Sequence, residues 1–253
     1  MSVSRRGFHA LALSWVAAPT RAQSPAPRRY LVASFVGDTI EFVGAGMQTG
    51  TRLDPNGRHA VADSAASMDK AVLAAVAGGL EKADRAAPVA FALVPPSKLH
   101  DSPESMLQPD GVALPGAVVD LIERHRATHV VLVTKLRDEA RFQLREKTVG
   151  RGKLRGLGFY LDEEERLYSD DSRDVGRGFF APYVYVRLSL VDVSTAKVVR
   201  ETRVAASEVV PIYASKTAAT PWEALSQEEK AKRLEALIRR RVAPAAEALA
   251  APR

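Results

Sequence analysis

Ala127–Leu136 reads A-T-H-V-V-L-V-T-K-L, and its reading decides the fold. Val130, Val131, Leu132 and Val133 form a continuous apolar run in which β-branched residues dominate. A run that short, with a helix-like segment before it and charges after it, is a strand buried on both faces. Such a strand belongs in the middle of a sheet with helices packed on it.

Working outward, Gly116–Arg126 predicts a helix, with Val118, Leu121 and Ile122 facing in and His125 near its C-terminal end, where the dipole suits a cation. Pro88–Val94 predicts a second buried strand, stopped by Pro95 and Pro96. Before it, Met68, Val72, Leu73, Val76 and Leu80 recur at helical spacing over Ser67–Ala83, with Ser64 or Ser67 as the cap. Gly78 and Gly79 either weaken the last turns of that helix or let it pack closely on the sheet. Helix and strand alternate through Ser67–Leu136, which predicts two β-α crossover units and parallel pairing. Ser97–Pro115 is proline-rich and reads as a long surface loop.

At the N-terminal side, Tyr30–Val36 and Thr39–Val43 flank Gly37-Asp38 and predict a tight hairpin. Gly44–Gly57 reads as loop and Arg58–Asp63 as a short strand. On the C-terminal side, the strand extends through Arg137–Glu146 with a period of two. Thr148–Gly158 and Ser169–Gly178 read as glycine-rich loops, on either side of an acidic run at Asp162–Glu165. Pro182–Val193 and Lys197–Val210 alternate around the turn Ser194-Thr195-Ala196 and predict a long antiparallel hairpin. Thr220–Glu223 and Ser226–Glu229 are capping boxes. The second opens a helix to about Ala250, with Ala231, Leu234, Ile238 and Val242 on one face and Pro244 expected to kink or split it. The expected fold class is α/β: a mixed sheet with helices packed on it, two β-α crossover units, a long antiparallel hairpin and a C-terminal helix.

Composition narrows the function. Hydrophobic residues make up 46% of the 253, enough for a proper core. The formal charge of +6 is carried partly by Arg5, Arg6 and Arg21, so residues beyond Ala22 hold a mild excess of about +3, too small to argue for a nucleic-acid partner. With no cysteine, disulfides, thiolate nucleophiles, iron–sulfur clusters, cysteine zinc sites and a lipoprotein anchor are all excluded.

Residues 1–22 predict a signal peptide. A basic start leads into a weakly apolar stretch, Ala10–Ala18, too short to span a bilayer; Pro19 breaks it, and Thr20-Arg21-Ala22 presents small residues for cleavage after Ala22. Arg5, Arg6 and Phe8 within Ser4-Arg5-Arg6-Gly7-Phe8 match a twin-arginine export signal, from which His9 and Ala10 depart. Gln23–Arg29 is then a short linker, 23–29, and 30–253 a single α/β domain, with a periplasmic location expected.

No stretch carries a catalytic signature. Gly37-Asp38-Thr39 resembles the Gly-Asp-Ser block of GDSL-type hydrolases, but Thr39 replaces the nucleophile and no Asp-x-x-His pair follows near the C-terminus. Asp170, Ser172 and Asp174 have calcium-loop spacing, but Val175 and Ala181 stand where that loop needs glycine and glutamate. His59, His100, His125 and His129 do not sit at ligand or triad spacing with acids. No catalytic, cofactor-binding or metal residue is therefore assigned, and no cofactor is expected.

The assembled order, together with Leu190–Val199 (L-V-D-V-S-T-A-K-V-V), resembles the periplasmic α/β module of penicillin-binding-protein activators, curli-secretion lipoproteins and the N-terminal domain of the Tol translocation protein. The resemblance spans roughly Tyr30–Val210; its sharp motif is Asp192–Val199, where Ala196 replaces the usual glycine. It implies a periplasmic module that works by contacts and transfers no catalytic residue. The resulting expectation is a non-catalytic binding module whose partner is an envelope protein or cell-wall component. The alternative is an enzyme or small-ligand binder with a loop-built site at the carboxyl ends of the parallel strands, where Asp38, Arg58 and His59 would converge with Lys135 or Arg137.

Overall fold

The structure is a computed structural model. It describes residues 27–46, 56–63, 65–94, 100, 102–108, 111–144, 147–168, 175–211 and 220–251. The export residues Arg5, Arg6, Phe8 and Ala22 and the calcium-like Asp170, Ser172 and Asp174 lie outside the described residues.

The apolar run at 130–133 is in the strand β7 (His129–Lys135), and it has a partner on each edge. β7 pairs in parallel with β1 (Tyr30–Phe35) from Tyr30↔His129 to Phe35↔Thr134, and antiparallel with β12 (Val175–Asp192) from Val186↔Lys135 to Asp192↔His129. Val131 and Val133 enter the core under α1 (Ser67–Ala83) and α3 (Gln227–Ala250). Val130 and Leu132 enter a second core under α2 (Gly116–His125). Each of these side chains is fully buried or nearly so, and burial of that kind contributes about 1.5–3 kcal/mol per residue.

The ten-stranded mixed sheet runs β3 (Gly57–Ala62), β2 (Thr39–Gly44), β11 (Lys153–Tyr168), β12, β7, β1, β4 (Val89–Leu93). β8 (Arg137–Glu139) joins β11, while β13 (Lys197–Ser207) and β14 (Val210–Pro211) join β12. Small two-stranded pieces are made by β5 (Leu107–Gln108) with β6 (Gly111–Val112), and by β9 (Phe142–Gln143) with β10 (Thr148–Val149). At Val186–Asp192, β12 has β7 on one edge and β13 on the other; at Tyr183–Tyr185 it has β11 and β13. β7 and β11 therefore succeed one another along a single edge of β12, which curls the sheet. A third core, rich in Phe142, Tyr160, Phe179, Tyr183 and Tyr185, lies on the face of β12 opposite Phe180, Val184 and Val186 of the first.

The long hairpin β12–β13 forms as expected. Asp192 Oδ1 accepts hydrogen bonds from the Ser194 and Thr195 amides at 2.8 and 3.1 Å, and Ala196 adopts φ +52°. Both capping boxes are present, at Thr220–Glu223 before a 3₁₀ turn (Pro221–Ala224) and at Ser226–Glu229 before α3. Arg200, on β13, donates to the carbonyls of Ala248, Leu249 and Ala251 at 3.0, 2.9 and 2.7 Å, satisfying the orphan acceptors at the far end of α3. No helix among the described residues is long and apolar enough to cross a membrane.

Five expectations are corrected. β1 and β2 do not form a hairpin: every residue of β1 is buried, so both its edges are taken, by β4 and β7, and Gly37 (φ +81°) sends β2 to β3 and β11 instead. β4 is an edge strand, not a buried one; Phe91 and Leu93 are each 49% exposed. Most of Thr148–Gly158 and the acidic run belong to the 16-residue strand β11. A bulge between Asp162 and Arg166 absorbs the charges, with Asp162 Oδ1 accepting from the Glu164 and Glu165 amides at 2.9 Å each. α1 starts without a side chain at its N-cap; Asp63 instead accepts from the Met68 amide at 2.8 Å. Finally, α3 runs unbroken through Pro244, which removes the split from the two alternatives expected there.

Gly78 and Gly79 separate two roles. A Cβ on Gly79 would lie 2.2 Å from the Ala243 carbonyl of α3, whereas one on Gly78 would meet nothing within 4 Å. The close approach is thus to α3, not to the sheet. Gly78→Ala is expected to stabilise by up to about 1 kcal/mol through helix propensity. Gly79→Ala is expected to destabilise by about 1–3 kcal/mol through overpacking. Paired urea unfolding curves check both signs.

Candidate functional site

Chemistry-bearing residues gather in two places. The first lies at the carboxyl ends of β1 and β7. Ser34, at the end of β1, donates its hydroxyl hydrogen to the Asp69 carboxylate of α1, and both are almost wholly buried. His100 is also buried, its ring against Gly37 and 5.6 Å from the Phe35 ring. Lys135 Nζ reaches the Thr39 hydroxyl at 3.5 Å, and Arg155 donates to the His100 carbonyl at 3.1 Å. The Asp69 carboxyl is held above its ordinary 3.8, chiefly by burial; the Ser34 bond, His100 and Lys135 oppose this and Asp38 adds to it.

The Ser34 hydroxyl is bonded to a carboxylate and shut away from solvent, so its oxygen is not presented to a substrate in this arrangement. Its central groups are closed from solvent. It is a polar plug at the position where sheets of this kind place ligand sites.

The second place is an open groove of about 410 Å³ at the β2–β11 end of the sheet. Phe42 and Phe159 come from neighbouring strands and stack at 5.5 Å between centroids. Trp222 closes one side edge-on, 5.0 Å from Phe42 and 5.6 Å from Phe159. It is carried by the 3₁₀ turn that the Thr220 capping box opens, and the Lys230 ammonium sits 3.7 Å from its ring centre. Burial lowers the Lys230 pKa, against a smaller opposing pull from Glu223. Leu161, Arg58 and His59 also line it, His59 standing opposite Phe42 in the β2–β3 ladder.

Behind the groove, Glu41 pairs with Arg58 at 3.0 Å and accepts from the Tyr183 hydroxyl at 3.0 Å. Tyr183 is pushed well above its ordinary value by burial and then by the Glu41 charge. These bonds hold β2, β3 and β12 in fixed relation.

The expected convergence does not occur as one pocket. Asp38 and Lys135 surround Asp69, Arg58 and His59 belong to the groove, and Arg137 lies on β8 in register with Arg155. His125 ends α2. His129 lies opposite Asp192 at the far end of β7, its pKa lowered by burial and by Arg28. No cluster of three or more His, Asp or Glu residues able to hold a metal is present among the described residues. Sequence reasoning missed Trp222 and Phe159 as site residues; the capping box located the first, but nothing local marks what its ring touches.

The raised Asp69 pKa gives stability a sign. The folded state holds that proton more tightly than the unfolded chain, so stability falls as pH rises from the ordinary carboxylate value through the raised one, and stays lower above it. Asp69→Asn keeps an acceptor for Ser34 and deletes the charge. Its urea midpoint at pH 7 is expected to equal or exceed that of the unaltered protein, with the gap closing towards pH 4. A clearly weaker variant at pH 7 would show instead that the ionised form is stabilising.

No family model matches the chain, and no curated protein matches it. Among solved structures it is similar to the PelC dodecamer from Paraburkholderia phytofirmans, 14% identical over 90% of this chain and 90% of that one, with a TM-score of 0.33. It is also similar to a neuraminyllactose-binding hemagglutinin homolog from Helicobacter pylori, 10% identical over 93% and 87%, with a TM-score of 0.39. Likenesses this distant assign no site or ligand to this chain.

Proposed function

We propose that the chain is an exported, non-catalytic binding module of the cell envelope, which seats apolar side chains of a partner envelope protein in the Phe42–Phe159–Trp222 groove. The observation that carries this is the contrast between the two sites. Ser34 and Asp69 are buried and bonded to each other, while the aromatic surface is open. Preformed clefts of a few hundred Å³ with aromatic walls are common contact sites.

The partner segment is extended. The groove borders β3, and the outer edge of β3 is unpaired among the described residues. A strand laid along that edge would set alternate side chains beside His59, at the mouth of the groove that Phe42 and Phe159 line. Export is supported by Arg5, Arg6, Phe8 and Ala22, which fit a twin-arginine signal cleaved after Ala22. The periplasmic modules that Asp192–Val199 resembles also act by contact.

The test places a photo-crosslinking residue at His59 in the full chain, in its native cells, with Lys197 at the start of β13 as control position. One discrete adduct with an envelope protein is expected from His59 and none from Lys197. Trp222→Ala is expected to cut that adduct about tenfold or more, as loss of a central aromatic anchor does, while circular dichroism shows the fold retained. Equal adducts from both positions would overturn the reading. So would a small molecule retained in the native mass spectrum and lost on Trp222→Ala, which would make the groove a small-ligand site.

A further inference from the structure

The basic run Arg239-Arg240-Arg241 of α3 is not a uniformly neutralised face. Arg239 pairs with Glu235 at 3.1 Å, and Lys232 with Glu228 at 2.7 Å. Arg233 pairs with Glu208 at 2.7 Å, and Arg240 joins the same carboxylate. Arg241 has no carboxylate in range among the described residues. It lines a groove of about 430 Å³ between α3 and β13, with Arg203 from β13 and Arg141 from the connection between β8 and β9.

Each of the three is set by a fixed backbone. Arg141 precedes the buried Phe142, and its carbonyl accepts from the Ser207 hydroxyl at 3.3 Å. Arg203 is in the β12–β13 ladder, opposite Arg187. Arg241 precedes the buried Val242. The floor between them is made of small side chains, Ala205, Ala206 and Ala245. The nearby acids are already engaged: Glu201 with Arg187 and Arg203, Glu208 with Arg233 and Arg240. With Arg203 held by Glu201, the groove's excess positive charge falls on Arg141 and Arg241, and planar guanidinium forks match carboxylate and phosphate oxygens.

We propose that this groove is a binding site for a multivalent oxyanion, one carrying two or more phosphate or carboxylate groups. It shares no lining residue with the aromatic groove and stands independently of the function proposed above.

The test is calorimetry on the full chain at low salt, with inorganic pyrophosphate as the phosphate arm, citrate as the carboxylate arm and acetate as the monovalent control. Saturable binding of pyrophosphate, citrate or both is expected, with acetate at least about tenfold weaker and affinity falling as salt rises. Arg141→Gln and Arg241→Gln are each expected to weaken it about tenfold. Arg239→Gln, which removes an exposed ion-paired cation of the same helix, is expected to leave it unchanged. No saturable binding, or equal losses in all three variants, would overturn the site in favour of diffuse attraction to a basic protein.

Discussion

Both edges of one strand are occupied along most of its length, and the rest of the molecule depends on that. β12 is paired with β11 and then β7 on one edge, and with β14 and β13 on the other. Because it is shared, the parallel β4–β1–β7 region and the β2–β3–β11 region are one sheet, curled around β12. Backbone groups that deep in a protein must be paired. A break in β12 would orphan donors and acceptors in four neighbours and separate the cores on either side.

The curl explains why the two sites differ. At the parallel end, α1 covers the strand ends, and Ser34 and Asp69 form a closed pair there. At the β2–β11 end, α3 and the turn bearing Trp222 stop short of the edge strand, leaving Phe42 and Phe159 with an open face. Position on one continuous surface, rather than residue type alone, separates the structural polar cluster from the candidate contact site.

How much of this was legible follows from what each signal encodes. β7 was readable because its short β-branched run is central whatever its neighbours. α1, α2 and α3 were readable from helical spacing and, for α3, from its capping box. Glycine misled in β11. Gly158 marks close approach, where a Cβ would fall 2.0 Å from the Glu41 carbonyl, yet in sequence it resembles a loop glycine. The Gly37-Asp38 spacing fits a hairpin, but spacing does not report that β1 needs two other partners. Both grooves are assembled from segments far apart in sequence, Phe42 with Phe159 and Trp222, and Arg141 with Arg203 and Arg241. Local pattern does not encode such meetings.

The pairing of β1 has a consequence for the order of assembly. This central strand, near the start of the described chain, takes its neighbours from Val89–Leu93 and His129–Thr134, and β7 is flanked in turn by a strand that ends at Asp192. Arg28, just ahead of β1, donates to the Ala250 carbonyl across 222 positions, and the last turn of α3 is closed by Arg200. Contacts this distant in sequence cost loop-closure entropy before they return any stability, which makes folding slow. The core closes only after α3 has been synthesised, so a nascent chain still on the ribosome holds β1 as an exposed, strongly apolar strand in need of protection.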